Sequence, residues 1–343
     1  MEYVEGTILT TESFEKGYIG VDHGLICERG KGRPPKPSFV HGIITPSLVN
    51  AHTHIGDSFI AQRSLDLPKT LEELVAPPRG LKHRMLEEAS DEEILTGMRE
   101  AIQIMEKTGT SLFFDFRENG PEGVTLLIQA LTDTSVSACI FARPRDLSYV
   151  KDEMNLLLRH AQGIGISSLS DWEYEELAKV ARHTHREKKL FALHASERIR
   201  EDIDLILDLH PDLLIHLTKA TDGDIERVQD SHIPVVVCPR SNLYFGLKPN
   251  IDALKNHGIE MLLGTDNGML HPPRVLEEIH QIKRLTSAFS DEELLRMVTY
   301  SPRKALNLKH GIHGLNSMEN FVVLDEKTLQ PLYCSFGNNG GFK

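Results

Sequence analysis

Two spacings of apolar residues alternate along the chain. Short apolar runs, IITPSLVNAH, TSLFFDF, SVSACIFA, GIGISS, KLFALH, LLIHL, PVVVCP and EMLLGTD, each close on polar residues and predict strands. Between them lie segments with apolar residues every three or four positions, such as SDEEILTGMREAIQIMEKTG and SDWEYEELAKVARHTHREKK, which predict amphipathic helices. Ser90 with Glu93, and Ser170 with Glu173, have the spacing of a reciprocal N-terminal cap, and Gly109 suits a helix stop. Eight strands separated mostly by helices predict an α/β protein, a (β/α)8 TIM-type barrel over residues 45–313. The β-like runs VEGTIL and GYIGV before the turn RGKGRPPKP, with ENFVVLD and PLYCSF near the end, predict a small β-sandwich-like unit from residues 1–44 and 314–343.

Composition narrows the function classes. Lys and Arg number 38 against 50 Asp and Glu, a formal charge of −12, and an acidic surface repels phosphate backbones. Nucleic acid is therefore not an expected partner. No run reaches the roughly 18 apolar residues of a membrane span, and no basic flank with an apolar core opens the chain, so a cytoplasmic protein with no membrane partner is expected. Cys27, Cys139, Cys238 and Cys334 form no C-x-x-C and are expected to be buried thiols.

In a parallel barrel the reactive groups stand at the C-terminal ends of the strands. Those ends here carry His52 and His54 on the first strand, His194 on the fifth, His216 on the sixth and Asp266 on the eighth. Alternate strand residues share a face, so His52 and His54 can grip one ion, with His194 and Asp266 arriving from elsewhere on the ring. Three imidazoles and a carboxylate suit one borderline divalent ion per chain, Zn²⁺ first and Fe²⁺ second, with a position left for water. The tripeptide His-Thr-His recurs at His183 and His185, late in a helical segment, where residues two apart diverge by about 200° and cannot share an ion. There the two histidines are expected to place positive charge at a helix C-terminus.

PSLVNAHTH, TGTSLFFDF, HASE, IHLTKAT, CPRSN, LGTDNG and TYSPRKALNL together make the chain resemble the amidohydrolase superfamily, in the branch of cytosine, guanine and S-adenosylhomocysteine deaminases and chlorotriazine hydrolases. The resemblance implies a mononuclear site, because GIGISS lacks the lysine that bridges two ions in binuclear members. It implies His52, His54, His194 and Asp266 as metal ligands. Water activated on the metal would attack an electron-poor C–N carbon of a small heterocyclic substrate. Asp266 would take the water proton, His216 would orient the water and stabilise the developing oxyanion, and Glu197 of HASE would act as acid and base.

Arg143 and Arg145 in FARPRD, Arg240 and Asn242 in CPRSN, and Glu73 in TLEELVAPPRG are candidate substrate contacts, with Glu72 and Arg79 beside the last. His83, His232, His257, His271 and His313 show no ligand pattern. Two alternatives stay open: hydrolysis of another C–N or C–Cl bond or a cyclic amide on the same centre, and a non-catalytic metal-binding barrel. Related enzymes often form dimers or higher assemblies, so a homo-oligomer is a further expectation.

Overall fold

The computed structural model of the chain describes residues 1–77, 79–310 and 320–337. Four strands come first: β1 (Glu2–Leu9), β2 (Phe14–Asp22), β3 (Leu25–Lys31) and β4 (Val40–Pro46). Nine more follow: β5 (Leu48–His54), β6 (Thr110–Arg117), β7 (Ser137–Ala142), β8 (Gly163–Ile166), β9 (Leu190–Ala195), β10 (Leu213–His216), β11 (Val235–Val237), β12 (Met261–Leu263) and β13 (Asp266–Asn267). After the helix Tyr300–His310 come β14 (Phe321–Leu324) and β15 (Pro331–Cys334).

Strands β5 to β13 form one curled sheet in the order β12-β11-β10-β9-β8-β7-β6-β5-β13, with every neighbouring pair parallel. Parallel neighbours need a crossover, and helices supply most of them, an arrangement consistent with a TIM-type barrel. Only Gly264 and Thr265 separate β12 from β13, which lie at opposite ends of the sheet order. Alternation divides the apolar residues between two cores: Leu112, Phe114, Phe116, Leu190, Ala192, Val236 and Leu262 share an inner cluster, while Phe113, Phe191, Leu193, Val235 and Leu263 join the core beneath the helices.

The apolar run IITPSLVNAH, expected as one strand, is two. Pro46 lacks a backbone donor and ends β4; Ser47 then donates to the Asn320 carbonyl at 2.8 Å and Leu48 to that of Gly109 at 2.8 Å, so the chain changes sheets there.

The terminal strands form a single sheet, β15-β14-β4-β1-β2-β3, antiparallel except for β1 beside β4. It is not a two-layer sandwich. Ile44, Phe321 and Val323 pack with Val4, Ile8 and Ile19 in a small cluster, while Ile43, Val322 and Leu324 alternate into the large core under the barrel helices. The barrel thus supplies the second layer. β3 at one edge was not expected, because its exposed and half-buried residues alternate without a fully buried one. The expected boundary at 313/314 lies outside the described residues, as does His313.

Two helix starts behave differently. Ser90 caps Asp91–Lys107 by accepting from Glu93 N at 3.3 Å, but the Glu93 carboxylate pairs with Arg63 instead of returning to the cap. Ser170 is not a cap. It sits in a short 3-10 turn with its N–H donating to Glu201 at 2.7 Å, and the helix begins only at Tyr174. Cys27 is exposed on the edge strand, whereas the other three cysteines are buried. Among the described residues no helix is long and apolar enough to cross a membrane.

Candidate metal centre and active site

The histidines of β5 reach the inside through an irregularity. Its pairing with β6 shifts between Asn50 and Thr53, a bulge that re-aims the side chains after it. Asn50 and Thr53 fix the shift: Asn50 exchanges hydrogen bonds with Thr265 at 2.8 and 3.0 Å, and Thr53 donates to Asp115 at 2.9 Å. On β9 the alternation Leu190, Ala192, His194 needs no such help. His216, the last residue of β10, and Asp266, the first of β13, are both in the left-handed region, with φ of 77° and 61°. Such conformations cost about 1–3 kcal/mol each and persist where the surroundings enforce them. Gly264 is required by close approach, since a Cβ there would lie 2.5 Å from His52 Cβ.

His52, His54, His194 and Asp266 converge. His52 Nε2 lies 3.2 Å from His194 Nε2 and 3.3 Å from Asp266 Oδ1, and His54 Nε2 lies 3.5 Å from the same oxygen. Four ligands bound tetrahedrally at about 2.0–2.1 Å would be spaced on the order of 3.3 Å apart; His52, His54 and Asp266 form one group with close to that spacing, and His194 joins through His52, in a second group with His216. The protonation pattern agrees. His194 Nδ1 donates to the Ile166 carbonyl at 2.7 Å and His54 Nδ1 to that of Phe116 at 3.0 Å, which leaves both Nε2 lone pairs facing inward. Burial holds His194 well below the ordinary histidine pKa and lowers His54 to about 4, so both rings are neutral, the form that binds metal. Burial pushes Asp266 towards its neutral form, but the His52 contact and the neighbouring imidazoles outweigh it and keep the carboxylate ionised. Ser241 donates to its other oxygen. These residues fit a divalent ion.

His216 is built differently. Asn242 Nδ2 lies 3.2 Å from His216 Nδ1 and 3.3 Å from Glu197 Oε1. An amide nitrogen only donates, so Nδ1 accepts, and the proton of this neutral ring stays on Nε2. His216 therefore presents an N–H, with Nε2 3.4 Å from Glu197 Oε1. Glu197 stands in the loop after β9, which Glu201 pins by accepting from Ser196 N at 2.8 Å and Ser170 N at 2.7 Å. Burial, with Asp266 nearby, raises the Glu197 pKa well above the carboxylic range. Two neighbouring carboxyl groups are thus driven apart, one ionised and one protonated, the pattern of an acid–base pair.

A cavity of about 90 Å³ covers the cluster, with His54, His194, Glu197, His216 and Asp266 in its wall. Leu71, Val75, Ala76 and Pro77 give it an apolar side, and Ser167, Ser168 and Asp171 a polar one.

Of the arginines singled out from sequence, Arg143 lines this cavity, 3.5 Å from Glu118. Arg145 is exposed and paired with Glu122. Arg240 is held by Glu278, with Nε 2.6 Å from Oε1, and by the Pro272 and Arg274 carbonyls. Glu73 accepts from Thr70 at the start of a short helix, and neither it nor Arg79 or Glu72 lines the cavity. Glu72 is 3.5 Å from Arg198, which does. Sequence reasoning did not single out Lys82 or Glu118, both almost fully buried in the cavity wall.

Residues 43–339 match the model of the Amidohydrolase family. The chain belongs to that family. It is 36% identical over 289 residues to an uncharacterized protein of Methanocaldococcus jannaschii, covering 78% of this chain and 74% of the relative. It is 31% identical to a putative aminohydrolase of Archaeoglobus fulgidus, covering 97% and 92%. A 5-methylthioadenosine/S-adenosylhomocysteine deaminase of Caldicellulosiruptor saccharolyticus is 25% identical, covering 86% and 75%. Among solved structures, an adenosine deaminase from Xanthomonas campestris with bound zinc superposes with a TM-score of 0.75 at 18% identity, over 94% of this chain and 84% of that one. This amidohydrolase is a metal-dependent-family hydrolase acting on C–N bonds.

Proposed function

We propose that the protein is a mononuclear amidohydrolase that removes ammonia from an aminated purine, pyrimidine or nucleoside-type ring. The observation that carries this is the opposed pair beside the histidine cluster, an ionised Asp266 and a protonated Glu197 whose ligand-type oxygens lie within 4.8 Å of each other and of a His216 nitrogen. His52, His54, His194 and Asp266 would hold the ion, for which Zn²⁺ is our assignment, and it would supply an activated water as nucleophile. Asp266 takes the water proton. Glu197 gives its proton to the ring nitrogen next to the attacked carbon, then relays the proton that lets the amine leave as ammonia. His216 Nε2–H donates to the oxygen as negative charge develops there, a preorganised bond typically worth about 3 kcal/mol or more in a dry site.

The deaminase named among the relatives, and the zinc in the Xanthomonas campestris structure, support this reading. The same reading takes the fold as a closed (β/α)8 barrel, with β12 and β13 as one interrupted eighth strand, and the terminal segments as the accessory β unit; the expected boundary at 44/45 moves to Pro46/Ser47, since Thr45 and Pro46 pair with β14.

The test is ammonia release by zinc-loaded protein across aminated nucleobases, nucleosides and S-adenosyl derivatives. At least one is expected to release ammonia stoichiometrically with its keto product. Ring-opened products without ammonia, or turnover only of a chlorinated triazine or a cyclic amide run alongside, would replace deamination by the alternative chemistries. An ion that binds without turning over any of these substrates would favour a non-catalytic barrel.

A further inference from the structure

One lysine sits where its helix should be apolar. The helix Leu81–Glu88 buries Lys82, Met85 and Leu86, the three positions of a single face, and Lys82 is 3% exposed. Its ammonium has three partners from three strand ends. Lys82 Nζ lies 2.6 Å from Glu118 Oε1, after β6; it donates to Asn267 Oδ1 at 3.0 Å, on β13; and it lies 3.4 Å from Asp57 Oδ2, after β5.

Two of these partners adjoin the histidine cluster. Glu118 Oε1 is 2.8 Å from His54 Nδ1, whose proton is donated to the Phe116 carbonyl, so the carboxylate lies against the ring edge beside that hydrogen bond. Asn267 follows Asp266 directly. The other oxygen of Glu118 accepts from Arg117 at 2.6 Å, and Arg117 Nη1 donates to Asp115 at 3.2 Å, so Glu118 is restrained from behind as well. Glu118 is therefore clamped between two cations, Lys82 at 2.6 Å on one oxygen and Arg117 at 2.6 Å on the other. A carboxylate behind a metal-bound imidazole fixes the ring's tautomer and orientation and increases its basicity.

We propose that Lys82 is a positioning residue for the metal centre, fixing His54 through Glu118 and the strand that carries Asp266 through Asn267. This rests on the metal-centre reading above. Lys82 comes from the segment between β5 and the helix Asp91–Lys107, and nearby Leu71, Val75, Ala76 and Pro77 form the apolar cavity wall.

The test compares wild type, Lys82→Met, Glu118→Gln and the double variant, each stripped and titrated with Zn²⁺ against a chromophoric chelator. The visible spectrum of the Co²⁺-loaded protein and the circular dichroism of the metal-free protein are read alongside. Each single variant should bind Zn²⁺ about 10–100-fold more weakly. Its cobalt bands should shift while the fold is retained. The double variant, which removes one charge of each sign and so keeps the net buried charge unchanged, should be no weaker than the worse single variant, because Lys82 acts on His54 through Glu118. A folded double variant with wild-type Zn²⁺ affinity and an unshifted cobalt spectrum would overturn the proposal. A double variant that loses its fold would overturn it too, since the cluster would then serve folding and not the ion. Wild-type protein that binds neither ion would instead overturn the metal-centre reading.

Discussion

The tripeptide His-Thr-His occurs twice, and the two copies do opposite things. In β5 the rings of His52 and His54 lie 4.8 Å apart, with both Nε2 atoms near Asp266. In the helix Tyr174–Arg186 the rings separate: His183 Nδ1 meets the Tyr149 hydroxyl at 3.1 Å, and His185 Nε2 meets the Leu209 carbonyl at 3.1 Å. The difference is the backbone period, two in one case and 3.6 in the other. The expectation that the second pair adds positive charge at a helix end does not hold for His183. It is 2% exposed, and burial, with Arg186 nearby, lowers its pKa, so it is a neutral core residue joined to a tyrosine.

The largest contrast should come from emptying each pair. Replacing His52 and His54 by Ala should take bound metal from about one ion per chain to near zero and turnover to background, whereas His183→Ala with His185→Ala should leave metal stoichiometry unchanged. Metal analysis and turnover on the same preparations check both.

A smaller effect isolates geometry from ligand identity. Gly264→Ala keeps every ligand but sets a methyl 2.5 Å from His52 Cβ, so it should lower stability by about 1–3 kcal/mol and weaken Zn²⁺ binding measurably. Denaturant melts and a chelator titration would show this; unchanged values in both would mean that His52 does not need that contact.

In the helical copy, His183→Ala leaves the Tyr149 hydroxyl without its ring partner and should cost about 1–2 kcal/mol in a denaturant melt. The smallest expected effect is on pH dependence. The folded-state pKa of His183 is below its unfolded value of about 6.5, so the unfolded chain binds the extra proton first and His183 erodes stability as pH falls below about 6.5. In melting temperature against pH, metal-free His183→Gln should show a shallower acid limb than wild type.

The same distinction marks what the sequence made legible. Strand-end histidines and Asp266 were readable because periodicity places them within a few residues of each strand's end. Glu197 was readable because it stands three residues from His194. Lys82 was not, since a lysine on a short helix reads as solvated and only the packing of Met85 and Leu86 turns it inward. Glu118 follows a strand whose apolar run ends at Phe116, and beyond adjacent Arg117 its neighbours His54, Lys82 and Arg143 come from three separate segments. Arg240 looked free at a strand end, but Glu278, its buried partner, lies 38 residues away on a helix. The strand break at Pro46 was visible as a proline, yet the transfer between sheets depends on Asn320 and Gly109, far along the chain. Local pattern determined which residues reach the mouth, and long-range pairing determined which of them remain free to act.

The central claim is that a protonated Glu197 beside an ionised Asp266 drives deamination. Its most direct test is to measure ammonia release and bound zinc together for wild type and Glu197→Gln. The account predicts a fall in turnover of about 10²–10⁴-fold at unchanged zinc content. Wild-type turnover by zinc-loaded Glu197→Gln would contradict it.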